Sequence, residues 1–178
     1  NTDAVEGLTS TQLRGLNSAL VEALTSAQVE LLSSVQLGAL NSVGLGAFST
    51  DEIAAITTTA IKGLSSVQLS ALDSADAEAL SSSQLNSLST TQLRGLSSAA
   101  LSGLTTEAVS GLLTTAVAAL SSTQLGGLGT ANIAVLSSSQ VGAISSVALN
   151  GMGTSNIEAL NTDAVEGLTS TQLRGLNS

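Results

Sequence analysis

Serine is the most abundant side chain here that could attack a substrate, but its hydroxyl becomes a nucleophile only beside a base that takes its proton. The 178-residue chain has no His and no Cys, and Lys62 is its single amine side chain. None of the serines therefore has a partner for acyl transfer. Asp51-Glu52 and Asp73 with Asp76 are the only acidic groupings, too sparse for the ring of oxygen ligands that calcium takes. Sites of the His/Cys kind are impossible. Gly126-Gly127 with Gly129 makes a glycine-rich stretch, but no Lys follows it as a phosphate-binding loop requires. These residues predict a chain that is not an enzyme, with no catalytic, cofactor-binding or metal-ligating residue and no cofactor.

The charge balance narrows the partners. Thirteen acids against four bases give a net charge of -9, the wrong sign for nucleic acid or an anionic membrane surface. Apolar runs are interrupted every few residues by Ser or Thr, so no membrane span is expected, and no signal-like segment opens the chain. Without Cys no disulfide can contribute, and stability has to come from packing.

The packing element is an eight-residue phrase, Leu8-Thr9-Ser10-Thr11-Gln12-Leu13-Arg14-Gly15, that recurs without insertion from end to end. With its positions lettered a to h from Leu8, position a is Leu, Ile, Phe or Met in all 22 occurrences, and position c is Ser or Thr in all 23. Residues 1–178 are thus one continuous array of about 22 octads. Leu113 at b, Leu31 and Val135 at h, and Ala77 at f depart from the pattern without breaking its phase.

Position b is Ser, Thr, Asn, Asp or Gly in 22 of 23 cases, the residue types that cap helix N-termini. Position e is then the third helical residue, and it is Gln or Glu at Gln12, Gln28, Gln36, Glu52, Gln68, Gln84, Gln92, Gln124, Gln140 and Gln172, the pairing of a capping box. Apolar a and f, such as Leu8 with Leu13, form the hydrophobic staple that fixes the chain's entry into the helix. Charge agrees: Arg14, Lys62, Arg94 and Arg174 all fall at g, whereas Asp3, Asp51, Glu52, Asp73, Asp76, Glu107 and Asp163 fall at b, d or e, as the helix dipole favours. Glu22 and Glu30, also at g, mark that position as solvent-facing. The fold class expected is all-α, a solenoid of short helices, one per octad, forming a thin superhelical rod.

The alternative is a β-solenoid with two octads per coil. It would suit Ser/Thr and Gln ladders, but h and a are adjacent and both look buried, which strand alternation forbids, and β-branched and aromatic residues are scarce at a. A six-residue helix is about 9 Å long and does not stand alone in water, so stability is expected to belong to the array. The constant hydroxyl at c is expected to bond a backbone carbonyl of its own or a neighbouring turn. A flat Ser/Thr face that orders water or binds ice is the functional alternative.

Asn1 to Ser18 and Asn161 to Ser178 are the same eighteen residues, NTDAVEGLTSTQLRGLNS, at an offset of twenty octads. This suggests a higher-order period of twenty octads and a window on a longer array, one that continues end to end, covalently or by self-association as a fibre. Octads such as LSSTQLGG, LSTTQLRG and LTSAQVEL resemble the TAQ-type repeat tracts of very large secreted bacterial surface proteins, over the whole chain. The resemblance implies an extracellular or cell-surface structural setting: an adhesin stalk, biofilm matrix or filament. The function expected is structural, with a binding module presenting a repeated Ser/Thr surface to ice, glycan or an adhesin as the alternative.

Overall fold

The computed structural model describes residues 5–176; Asp3, the c residues Thr2 and Ser178, and the b residues Asn1 and Asn177 lie outside them. Among the described residues the chain is all-helical, with twenty α-helices of four to seven residues and one 3-10 helix, Ile61–Gly63, and no strand. The β-solenoid is thereby excluded for this stretch.

Each octad builds a corner. In most octads the a residue leaves the helical region, as at Leu40 (φ -61, ψ 143), and the b residue stays extended, as at Asn41 (φ -77, ψ 166); Leu128 and Leu176 remain helical. Two extended residues swing the chain into a new direction, and the b side chain then caps the next helix. Asn41 Oδ1 accepts the N–H of Gly44 at 2.7 Å, and Ser97 Oγ accepts that of Ala100 at 2.9 Å. All ten expected capping boxes form, and Asp73 with Asp76 adds an eleventh.

Helices three octads apart in sequence lie side by side: Ser74–Glu78 packs on Ser98–Leu101, and Ser98–Leu101 packs on Ser122–Leu128. Hydrogen bonds between successive turns span 25 to 31 residues, so one turn of the solenoid takes between three and four octads. The f and a side chains run inward as one continuous apolar core, with Leu13, Leu37, Leu69, Leu101, Leu125 and Leu149 fully buried. Only the outermost turns leave this seam open, at Val165 and Leu173.

The hydroxyl at c behaves differently from the expectation. Among the described residues no Ser or Thr at c makes a side-chain hydrogen bond. What c provides is a small surface on which an h residue of the next turn rests, Gly63 over Ser34 being the pattern. A Cβ on Gly63 would overlap the Ser34 carbonyl oxygen, and one on Gly103 the Ser74 carbonyl. The sizes are constrained across this contact, although Ser10, Ser18, Ser26 and Ser42 are followed at the same separation by Ala39, Ala47, Ala55 and Ala71. Ser34, Ser66, Ser74, Ser82, Ser98, Ser122, Ser138 and Ser146 all sit under glycines. At the same sequence separation, Thr50, Thr58, Thr90, Thr106, Thr114 and Thr130 are followed by Ala79, Ser87, Ala119, Val135, Ala143 and Ala159. An extra methyl at c and a bare glycine at h never coincide, as close packing at a backbone contact demands.

Candidate functional site

The residues singled out for chemistry are dispersed along the array. Asp51 and Lys62 are exposed, and Gly126, Gly127 and Gly129 fall in and after the helix Ser122–Leu128. Asp73 caps its own helix, its Oδ1 accepting the N–H groups of Ala75 at 2.8 Å and Asp76 at 3.0 Å. Among the described residues no three His, Cys, Asp or Glu side chains come together as a metal site would require. Arg94, expected to face solvent, is exposed but not idle: its Nε donates to Ala119 O at 3.1 Å, across to the next turn.

The polar chemistry that the fold does concentrate is at position e. There the capping-box acceptor is only half of each side chain's role. Gln68 Oε1 accepts the N–H of Ser65 at 2.8 Å, and its Nε2, pointing the other way, donates to Leu37 O at 3.3 Å and Leu40 O at 2.8 Å in the preceding turn. The same arrangement recurs at Gln36, Gln84, Gln92, Gln124, Gln140 and Gln172, each reaching carbonyls 28 to 31 residues back. These carbonyls belong to the end of one helix and the corner after it, where intrahelical partners run out. Each Gln thus caps the start of its own helix and the end of a helix in the turn below. Gln12 and Gln28, in the first turn, make the capping bond alone.

Four other side chains at e, and one at b, show what these positions demand. Asn132 and Asn156, too short for a box, turn their amides down to Leu104 O at 2.8 Å and Gly126 O at 3.2 Å. Their helices are capped instead by Gly129 and Gly153, which hold positive φ of 79 and 95, and Asn132 Oδ1 is left buried without a partner. Leu113, the apolar b residue, lacks a side-chain cap of its own, and Asn86 Oδ1 from another turn accepts its N–H at 2.8 Å. Glu52 and Asp76 are buried acids where the other long polar residues are amides. Burial raises the Asp76 carboxyl above its ordinary 3.8; the hydrogen bond from the Asp73 N–H opposes this and the Asp73 charge adds to it. Sequence reasoning assigned e to capping alone. The available signal was composition: a capping box accepts Glu as readily as Gln, yet nine of the ten long e residues are Gln, and only an amide can accept and donate at once.

The same run of positions, ending on the amide, spells out a known repeat. Residues 114–146 match the ALTTAQ repeat. In phase with the octad those six letters read h, a, b, c, d, e: small residue, core residue, cap, small hydroxyl, exposed residue, amide. Ala119 to Gln124 (ALSSTQ) occupies these positions inside the ALTTAQ segment, and Ala23 to Gln28 (ALTSAQ) differs from the name in one letter. A comparison with curated proteins returns no match. No helix among the described residues is long and apolar enough to cross a membrane.

Proposed function

We propose that the chain is a structural spacer, a segment of an extracellular stalk or filament of the kind its octads resemble, with no catalytic activity. The observation that supports this is the use made of the buried polar side chains. From Gln36 to Gln172 the glutamines at e are spent on joining one turn to the next. A net charge of -9 keeps such a rod from nucleic acid and anionic lipid. At about 28 residues per turn and about 9 Å between packed helices, the array should be about 55 to 60 Å long, against about 40 Å for a compact sphere of this length. Small-angle scattering reads that maximum dimension directly, and a value no larger than the sphere's would end the spacer reading. Pulled between its ends, the array should yield turn by turn in steps of about 100 Å, whereas a single all-or-none rupture is the behaviour of a globular binding domain.

A second reading has one observation in its favour. The c hydroxyls are not consumed by internal hydrogen bonds, and Thr50, Thr90 and Thr106 are exposed, leaving a hydroxyl-rich surface for ice, glycan or an adhesin. Inhibition of ice recrystallisation or glycan binding that is lost on Thr50→Ala, Thr90→Ala and Thr106→Ala would favour it over the spacer.

A further inference from the structure

The charged side chains sort onto opposite faces of the solenoid. At about 28 residues per turn seven octads make two turns, so residues 56 apart stand in line along the rod. Asp51, Glu107 and Asp163, all at d, are spaced in this way, and Glu78 falls one turn from both Asp51 and Glu107, with Glu22 in the same line. Two shallow grooves follow this ridge: Thr50, Asp51, Ala54, Glu78 and Ala79 line one, and Glu78, Thr105 and Glu107 line the next. Half a turn round, the charge inverts. Lys62 comes 11 residues after Asp51 and 16 before Glu78, and Arg94 comes 16 after Glu78 and 13 before Glu107. Val35, Val67 and Val147, 67 to 79% exposed, keep the same half-turn offset from the ridge. Val67, Thr91 and Arg94 line a groove together. Between residues 35 and 147 this face carries no acid; Glu6 and Glu30 precede it. The charges on both faces are exposed, and among the described residues none of them forms an ion pair within the chain.

Building on the spacer reading, we propose that copies of this chain lie side by side, parallel and level, with the acidic ridge of one against the face of bases and valines of the next. The register follows from the helical path. Half a turn round the rod is also half a turn's rise, so each base of one copy stands opposite the gap between two carboxylates of its neighbour. Lys62 and Val67 meet the groove between Asp51 and Glu78, whose other lining residues, Thr50, Ala54 and Ala79, are small. Arg94 meets the groove between Glu78 and Glu107. With turns about 9 Å apart, each cation lies about 5 Å in axial height from two carboxylates. Charges that have no partner within a chain acquire one, and exposed valines leave water. Two ridges facing each other would repel, so the contact joins unlike faces, and each copy keeps one face free for a further neighbour. The product is a sheet of rods rather than a closed dimer. The net charge of -9 opposes this association, but at about 0.15 M salt the Debye length is about 8 Å, which weakens the overall repulsion more than the pairs in contact.

Sedimentation at about 0.15 M salt tests the pairing. The mean mass of the unsubstituted chain should rise with concentration, reaching at least two-fold above the 17.4 kDa of one chain in the millimolar range. Reversing the ridge (Asp51→Lys, Glu78→Lys and Glu107→Lys) or the opposite face (Lys62→Glu and Arg94→Glu) should each hold the chain at one-chain mass with unchanged helical circular dichroism. Mixed in equal amounts, the two variants should associate again, although shifts of +6 and -4 from -9 leave both net negative. Arg94→Glu gives up the bond to Ala119 O; if that variant fails to fold, Lys62→Glu with Val67→Glu takes its place, since neither side chain bonds within the chain among the described residues. An unsubstituted chain that stays at one-chain mass at every concentration, multimers indifferent to either reversal, or a mixture of folded variants that stays monomeric overturns the proposal. Scattering from the single chain tests the spacer reading separately, since a rod of the expected length that never associates would leave that reading standing and this one overturned.

Discussion

Gln124→Glu isolates the donor half of the e slot. The substitution keeps shape and length, and it keeps an oxygen for the Ser121 N–H, which Gln124 now accepts at 3.1 Å. What changes is the other end: an N–H₂ that donates to Leu93 O at 2.8 Å and Leu96 O at 2.9 Å becomes a carboxylate oxygen facing two carbonyls in a site only 5% exposed. Two hydrogen bonds at about 1 kcal/mol each are lost, and the buried acceptors left unpaired add about 1 to 3 kcal/mol. Leu93 O still receives the Leu96 N–H, so the unpaired group is chiefly Leu96 O. The expected loss is about 3 to 4 kcal/mol near neutral pH, partly recovered in acid, where the protonated carboxyl regains one donor. Gln12→Glu is the control. Gln12 makes the same capping bond at 2.9 Å but is exposed, and among the described residues its amide bonds no other turn; its substitution should stay within about 0.5 kcal/mol. Urea titration followed by circular dichroism measures both, with hydrogen exchange at the turns around residue 124 reporting local opening should the array not unfold in one step. Equal effects at the two positions would refute the inter-turn role of the amide and return e to capping alone.

Glu52→Gln runs the same argument in reverse: an amide at this buried site should gain carbonyl partners at Val21 and Leu24, the same steps back that Gln68 reaches, and stabilise the chain by about 1 to 2 kcal/mol in the same titration. Asp76 has a carboxyl raised above its ordinary value, so the folded chain holds that proton more tightly than the unfolded one. Its contribution is therefore most favourable below pH 3.8 and is lost as pH rises through the higher folded value. Asp76→Asn should raise stability at pH 7, and a variant with the unsubstituted chain's pH profile would contradict the assignment. Gly103→Ala should cost about 1 to 3 kcal/mol because its Cβ meets the Ser74 backbone. Gly46→Ala, with its nearest neighbour at 3.6 Å, should be neutral or gain up to about 1 kcal/mol from helix propensity. Matched thermal melts of the two glycine variants check that contrast.

What could be read from the sequence is what an octad contains within itself. The caps at b, the boxes at e and the a and f seam depend on residues at most five apart, and all were legible with their correct partners. Such features also decided between helix and strand. The second half of the e slot and the reason for c were not legible, because both depend on partners a full turn away and an eight-residue period does not reveal how many octads close a turn. Ser34 and Gly63 look unrelated until the turn length is known. The same ignorance let Arg94 pass as a solvent-facing charge when its Nε holds Ala119 O in the next turn.

The match between c and h also gives the array a grammar that outlasts any single octad. Tandem sequences gain and lose units by slippage, and a slip of one octad here would leave intact the caps that each octad carries within itself and every Gln still above a carbonyl, although loss of Asn86 would take the partner of the Leu113 N–H with it. It would nonetheless re-pair the glycines. Loss of residues 80–87 would bring Gly95, now resting on Ser66, over Thr58. The octads are therefore interchangeable as folding units but not as neighbours. A slipped array should fold and still bear a local scar one turn long.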